Sequence, residues 1–157
     1  MKKFFAGLKE AFNLHRAASM HYKGIPVIQD DVSLYLRLGI PESSIALALA
    51  IGPRSNKPFM IANSTFLKLE RSLQEAAFEH EMGHLKCKHH ENHTMDIIDR
   101  LQCGEASMKL EYEADLYAAK QGKPIGKLLN IWSEDPNVST REVHLRIANL
   151  KRSGFQC

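Results

Sequence analysis

The stretch Ser72-Leu-Gln-Glu-Ala-Ala-Phe-Glu-His80-Glu81-Met82-Gly83-His84 decides how this chain is read. Ser72 to Glu75 has the S-x-x-E spacing of a capping box, which predicts a helix from there, or from near Ser64-Thr65, to about His90. On such a helix, residues four apart return to within about 40° of each other, so His80 and His84 project from one face a turn apart. Two imidazoles so placed suit two corners of a tetrahedral ion with Zn–N distances of about 2.0–2.1 Å. Glu81 sits beside them, where its carboxylate can act on a metal-activated water as a general base without ligating the metal.

Two histidines leave such an ion under-coordinated, so a further ligand is expected downstream. Leu110-Glu111-Tyr112-Glu113-Ala114-Asp115 offers it. Glu111 and Asp115 share one helix face. Glu111 is the expected third ligand, and Asp115, one turn on, is placed to accept the free ring N–H of a ligand histidine and fix its tautomer.

Composition bounds the rest. The chain has 157 residues, 44% hydrophobic and 25% charged, which fits one soluble globular domain over 1–157 rather than a disordered segment. A net charge of +3 is too small to imply nucleic acid, and no recognition-helix pattern stands out. The three cysteines, Cys87, Cys103 and Cys157, form no CxxC pair, which argues against a disulfide framework and suits a reducing compartment. The longest apolar run, Ile45 to Ile51, is far short of the roughly 18 residues needed to span a bilayer, and no signal peptide follows Met1. The expected location is therefore cytoplasmic.

Outward from the histidines, the elements alternate between short and long. Residues 2–17 carry an apolar stripe of Phe4, Phe5, Leu8, Ala11, Phe12 and His15 against Lys2, Lys3, Lys9 and Arg16. This predicts a helix packed on the domain, with peripheral membrane contact through residues 1–20 as the alternative. Gly24 to Val27 reads as a turn and an extended piece, and Val32 to Leu38 as a short helix capped by Asp30 or Asp31. Ile45 to Ile51 and Phe59 to Ala62 read as a hairpin, and Pro58 suggests that its second strand is an edge. Short helices are predicted at 95–102 and Ile125 to Trp132. A longer one runs from Met108 to Gln121 and closes at Gly122. Ser139 to Glu142 is a further capping box, opening a helix through Val143, Ile147 and Leu150 to Gly154.

The HExxH motif with a downstream Glu-x-x-x-Asp helix resembles the gluzincin metallopeptidases. Glu111-Tyr-Glu-Ala-Asp115 is similar to the ExEAD-type stretch of the HtpX-like and CAAX-prenyl-endopeptidase group. The resemblance covers residues 45–150, and ends in a Ser/Thr-rich turn before a helix with Arg146-Ile147-Ala148-Asn149-Leu150. It implies an α+β fold: a mostly helical, zincin-like domain with a small antiparallel hairpin or sheet beside the HExxH helix. In that group a His-Pro pair precedes the late helix. Here Ser139-Thr140-Arg141 stands in its place and His144 is displaced into the helix. The chain also lacks the group's membrane spans, so it looks like a minimal soluble version. The short interval from HExxH to Glu111, and Ala118-Ala119 after it, also look like the ImmA/IrrE regulatory metallopeptidases.

The combined reading is a zinc-dependent endopeptidase. His80, His84 and Glu111 are the expected zinc ligands, Glu81 the base and Asp115 the group behind a ligand histidine. Arg146, His144, Tyr112 and Tyr117 are the candidates for stabilising the transition state. The expected substrate is an extended protein segment added along an edge strand near Phe59 to Ala62. Two alternatives are a regulatory protease cutting one repressor and a non-catalytic zinc-stabilised module, though the latter has no use for Glu81. A metzincin-like third ligand at His90 is disfavoured because Cys87 occupies the glycine position and is expected to prolong the helix. Cys87 reads as a packed small side chain. His89 and His93 read as a polar helix end, or a weak second metal pair.

Overall fold

A computed structural model describes residue 9 and residues 12–41, 43–52, 55–89 and 104–157. The chain divides into two compact units, Met1–Lys68 and Leu69–Cys157. The fold is α+β, with a small mixed sheet in the first unit and a helical second unit. No described helix is long and apolar enough to cross a membrane.

In the first unit, strands β1 (Met20–Tyr22) and β2 (Ile25–Gln29) pair antiparallel through a tight turn at Lys23-Gly24. Positive φ at both turn residues, 48° and 82°, matches the twist of a two-residue hairpin. Helix α1 (Asp31–Leu38) follows, and then β3 (Leu47–Ile51) pairs antiparallel with β4 (Pro58–Ala62), the expected hairpin. The sheet order is β1-β2-β4-β3, with β2 and β4 parallel and in register from Val27 opposite Met60.

That order corrects one expectation. Phe59 to Ala62 lies in a central strand, not at an edge; among the described strands the edges are β1 and β3. Pro58 is tolerated because it is the strand's first residue, and pairing with β2 begins only at Met60. A short helix, α2 (Ser64–Leu67), is capped by buried Asn63, whose Oδ1 accepts from Phe66 N at 2.8 Å and Ala46 N at 3.2 Å.

The second unit contains α3 (Arg71–Lys86), α4 (Gly104–Lys120), α5 (Ile125–Ser133) and α6 (Thr140–Arg152). Small residues, Ala76, Ala77, Ala114 and Ala118, are buried with Phe78, Leu128, Leu129, Val143, Ile147 and Leu150. Ser139 caps α6 as expected, accepting from Glu142 N at 3.4 Å. The capping box at Ser72 does not form. The N-cap is Glu70, and the Ser72 hydroxyl instead donates to the Glu70 carboxylate at 2.8 Å.

Helix α3 also stops sooner than expected, at Lys86. His89 N donates to His84 O at 3.0 Å and Lys88 N to Leu85 O at 3.2 Å, the paired bonds of a Schellman end. Lys88 takes the left-handed position with φ 58°, a place that Gly122 and Gly154 fill after α4 and α6. The chain therefore reverses at Lys88, and Cys87 is exposed rather than packed. The expected helix at 95–102, His90, His93 and Cys103 lie outside the described residues. So does most of the N-terminal stripe, although residues 12–17 are helical and Phe12 is exposed.

Candidate metal centre

Helix α3 presents His80 and His84, both buried, with their Nε2 atoms 3.1 Å apart. Helix α4 brings the Glu111 carboxylate to them, Oε2 at 3.2 Å from His80 Nε2 and Oε1 at 3.5 Å from His84 Nε2. The three donors thus converge as their spacing in sequence suggested, and could hold one ion. A tetrahedral ion with bonds of about 2.0–2.1 Å would place its ligand atoms about 3.3 Å apart. The observed separations straddle that value, and two imidazole nitrogens with one carboxylate oxygen is a donor set that suits zinc. Glu111 keeps 28% of its side chain exposed, so solvent reaches this side of the cluster.

Asp115 is fully buried and accepts from His80 Nδ1 at 2.9 Å. A proton on Nδ1 leaves the Nε2 lone pair facing Glu111 and His84, the tautomer a metal ligand needs. Arg146, on α6, braces both carboxylates. Its Nε and Nη2 donate to Asp115 at 2.8 and 2.7 Å, and Nη1 lies 3.1 Å from Glu111 Oε2. The guanidinium is thereby engaged on all its nitrogens and lies over the Trp132 ring at 5.7 Å. Engaged in this way, it braces Asp115 and Glu111 and is not a free donor.

The electrostatics follow from this arrangement. Burial opposes charge on His80, but hydrogen bonds to Asp115 and Glu111 outweigh it and raise the ring's pKa to about 10 when no ion is bound. Burial also opposes ionisation of Glu111 and Asp115, yet the Arg146 charge and the His80 hydrogen bonds hold both carboxyls below the usual range. Burial works against the Arg146 charge as well, and Asp115, Glu111 and Glu81 overcome it. Glu81 is half-buried on α3 next to His80 and near enough to Arg146 for that effect.

The other proposed donors do not join the cluster through any hydrogen bond or ion pair among the described residues. His144 is exposed on α6. Tyr112 and Tyr117 are half-buried on α4, with Tyr117 packing its Cβ towards Gly83. The sequence reads His89 as part of an exposed polar helix end, but the structure buries it. It is 2% exposed, lies 2.8 Å from His84 Nδ1 through its own Nδ1, and reaches Glu113 Oε2 from Nε2 at 2.9 Å. Cys87, His89 and Glu113 also form a second group of potential ligand atoms. Gly83 is a further residue of the site whose signal is in the sequence: a glycine inside a helix, costing about 1 kcal/mol against Ala, is a sign of close packing.

No protein-family model matches this sequence, and no significant similarity to a curated protein or a solved structure was found.

Proposed function

We propose that this chain is a zinc-dependent endopeptidase. The observation that carries the reading is the convergence of His80, His84 and Glu111 at tetrahedral spacing, with a carboxylate, Glu81, in the chain position next to the first ligand. Bound there, zinc would supply a Lewis acid and a source of nucleophilic water near neutral pH.

The chain's own groups have distinct tasks. His80, His84 and Glu111 hold the ion, and Asp115 keeps His80 in the ligand tautomer. Arg146 fixes the two carboxylates against each other's repulsion. Glu81 accepts a proton from the attacking water and returns it to the leaving amine. A protein in which the same residues only stapled the fold would have no need of a base beside the ligands.

The test is hydrolysis of an unfolded protein such as casein by wild type and Glu81→Gln. Cleavage should stop with chelator, return with zinc, and be absent in the variant although it still binds zinc. Full activity in Glu81→Gln would overturn the assignment of the base. A zinc-loaded wild type that cleaves nothing would overturn the peptidase reading.

A further inference from the structure

The Schellman end of α3 carries a consequence for the second ligand. Because the chain reverses at Lys88, His89 is folded back beneath His84 and buried there, 2% exposed. Its two ring nitrogens face different partners, His84 Nδ1 at 2.8 Å and Glu113 Oε2 at 2.9 Å. Each contact can hold one proton, and the metal centre dictates where both protons sit. A ligating His84 must present its Nε2 lone pair, so its proton is on Nδ1 and is donated to His89 Nδ1. His89 must then carry its own proton on Nε2, and donates it to the Glu113 carboxylate.

We propose that His89 and Glu113 are positioning residues for the metal ligand His84, forming a one-directional chain of hydrogen bonds that fixes its tautomer and ring orientation. The inference rests on the zinc reading above. It makes the two ligand histidines equivalent in support: Asp115 stands directly behind His80, whereas Glu113 stands behind His84 at one imidazole's remove. Glu113 therefore has a role distinct from that of its neighbours Glu111 and Asp115.

The same bookkeeping decides against a second ion on Cys87, His89 and Glu113. An ion there would take the His89 Nε2 lone pair and move the proton to Nδ1. Nδ1–H would then have to donate to His84 Nδ1, which would shift the His84 proton to Nε2 and end its service to the first ion. The two sites exclude each other while these rings are neutral.

The test uses the full chain with cobalt(II) and zinc as probes, comparing wild type with Glu113→Leu, Glu113→Gln and His89→Ala. Glu113 has 41% of its side chain exposed, so its variants should fold even if His89→Ala does not. Wild type should bind one ion per chain. Nitrogen-15 histidine spectra of the zinc form should show His84 protonated on Nδ1 and His89 on Nε2. Glu113→Leu should weaken metal binding about 10- to 100-fold in competition with a chelator. Glu113→Gln, whose amide oxygen still accepts the His89 proton, should recover part of that loss.

Equal affinity in wild type and Glu113→Leu, or His84 protonated on Nε2 in the zinc form, would overturn the relay while leaving the metal centre standing. Two cobalt ions per chain with a thiolate-to-cobalt absorption band would overturn it too. A folded wild type that binds no ion would instead overturn the metal centre, and the relay's role with it.

Discussion

Gly83, in the middle of the motif on α3, lies so close to Ala114 on α4 that a methyl group added to it would sit 2.8 Å from Ala114 Cα and 3.0 Å from Ala114 O. The contact is with backbone, which cannot swing aside. Replacing Gly by Ala inside an exposed helix gains up to about 1 kcal/mol. Here the sign should reverse. Gly83→Ala should destabilise the chain by about 1–3 kcal/mol, the range for overpacking. Ala114 is flanked by Glu113 and Asp115, so forcing the helices apart should also weaken zinc binding. Urea denaturation and chelator competition measure the two effects. A more stable Gly83→Ala would show that the helices do not approach this closely.

Arg146 bonds both Asp115 and Glu111, as the His80 ring also does, and its side chain is 11% exposed. Removing one partner of a buried ionic network leaves charge uncompensated, at a typical cost of about 3–5 kcal/mol. Arg146→Leu should lose stability of that order when measured without metal. Arg146→Lys keeps the charge but not the fork that spans two carboxylates, and should recover only part of it. Recovery by Lys to the wild-type level would mean that charge alone, without the fork's geometry, holds the carboxylates.

What the sequence disclosed and what it hid divide along physical lines. His80 with His84, and Glu111 with Asp115, were legible because i, i+4 spacing fixes which side chains share a helix face. The hairpin of Leu47–Ile51 with Pro58–Ala62 was legible because its partners are neighbours in the chain. The parallel pairing of β2 with β4 was hidden, since nothing local in Ile25 to Gln29 says that it meets Met60. The end of α3 was hidden for a different reason. After α4 and α6 a glycine takes the left-handed position and announces the stop, but after α3 that position belongs to Lys88. Without a glycine there, the sequence pattern extends the helix and puts His89 on an exposed face, whereas the turn at Lys88 brings it under His84 and onto Glu113. Arg146 was visible as a candidate, but its role depends on where α6 meets α4, which no spacing encodes.

Asp31 provides a pH dependence in the first unit. Its Oδ1 accepts from the Ser64 N–H at 2.8 Å and the Ser64 hydroxyl at 2.9 Å. The bond from the Ser64 backbone, then that from its hydroxyl, hold the carboxyl below its usual range. An unfolded Asp titrates near about 3.9. Because the folded value is lower, the ionised group stabilises fully above the unfolded value, and that contribution disappears as pH falls through the folded value. Asp31→Asn should therefore cost about 1 kcal/mol at pH 7, solvent screening keeping it small. The gap to wild type should narrow as pH falls below the unfolded value and close below the folded one, because Asn resembles the neutral acid. Unfolding midpoints across that range provide the check, and a gap independent of pH would mean that the charge on Asp31 contributes nothing.

Metal addition should act on stability in proportion to the number of ligands. An ion that binds only the folded form adds RT ln(1 + [L]/Kd), about 2.7 kcal/mol at a hundredfold excess over Kd. Zinc should raise the wild-type unfolding midpoint and chelator should reverse the rise. Glu111→Ala keeps both imidazoles but removes the oxygen facing them at 3.2 and 3.5 Å, so the same zinc concentration should produce a much smaller rise. Cys87→Ser should respond like wild type, because exposed Cys87 is not among the ligands of the first group. Paired denaturation curves with and without zinc separate the possibilities. If Glu111→Ala gained as much as wild type, the carboxylate would not be a ligand, and the two histidines would have to find their third partner elsewhere.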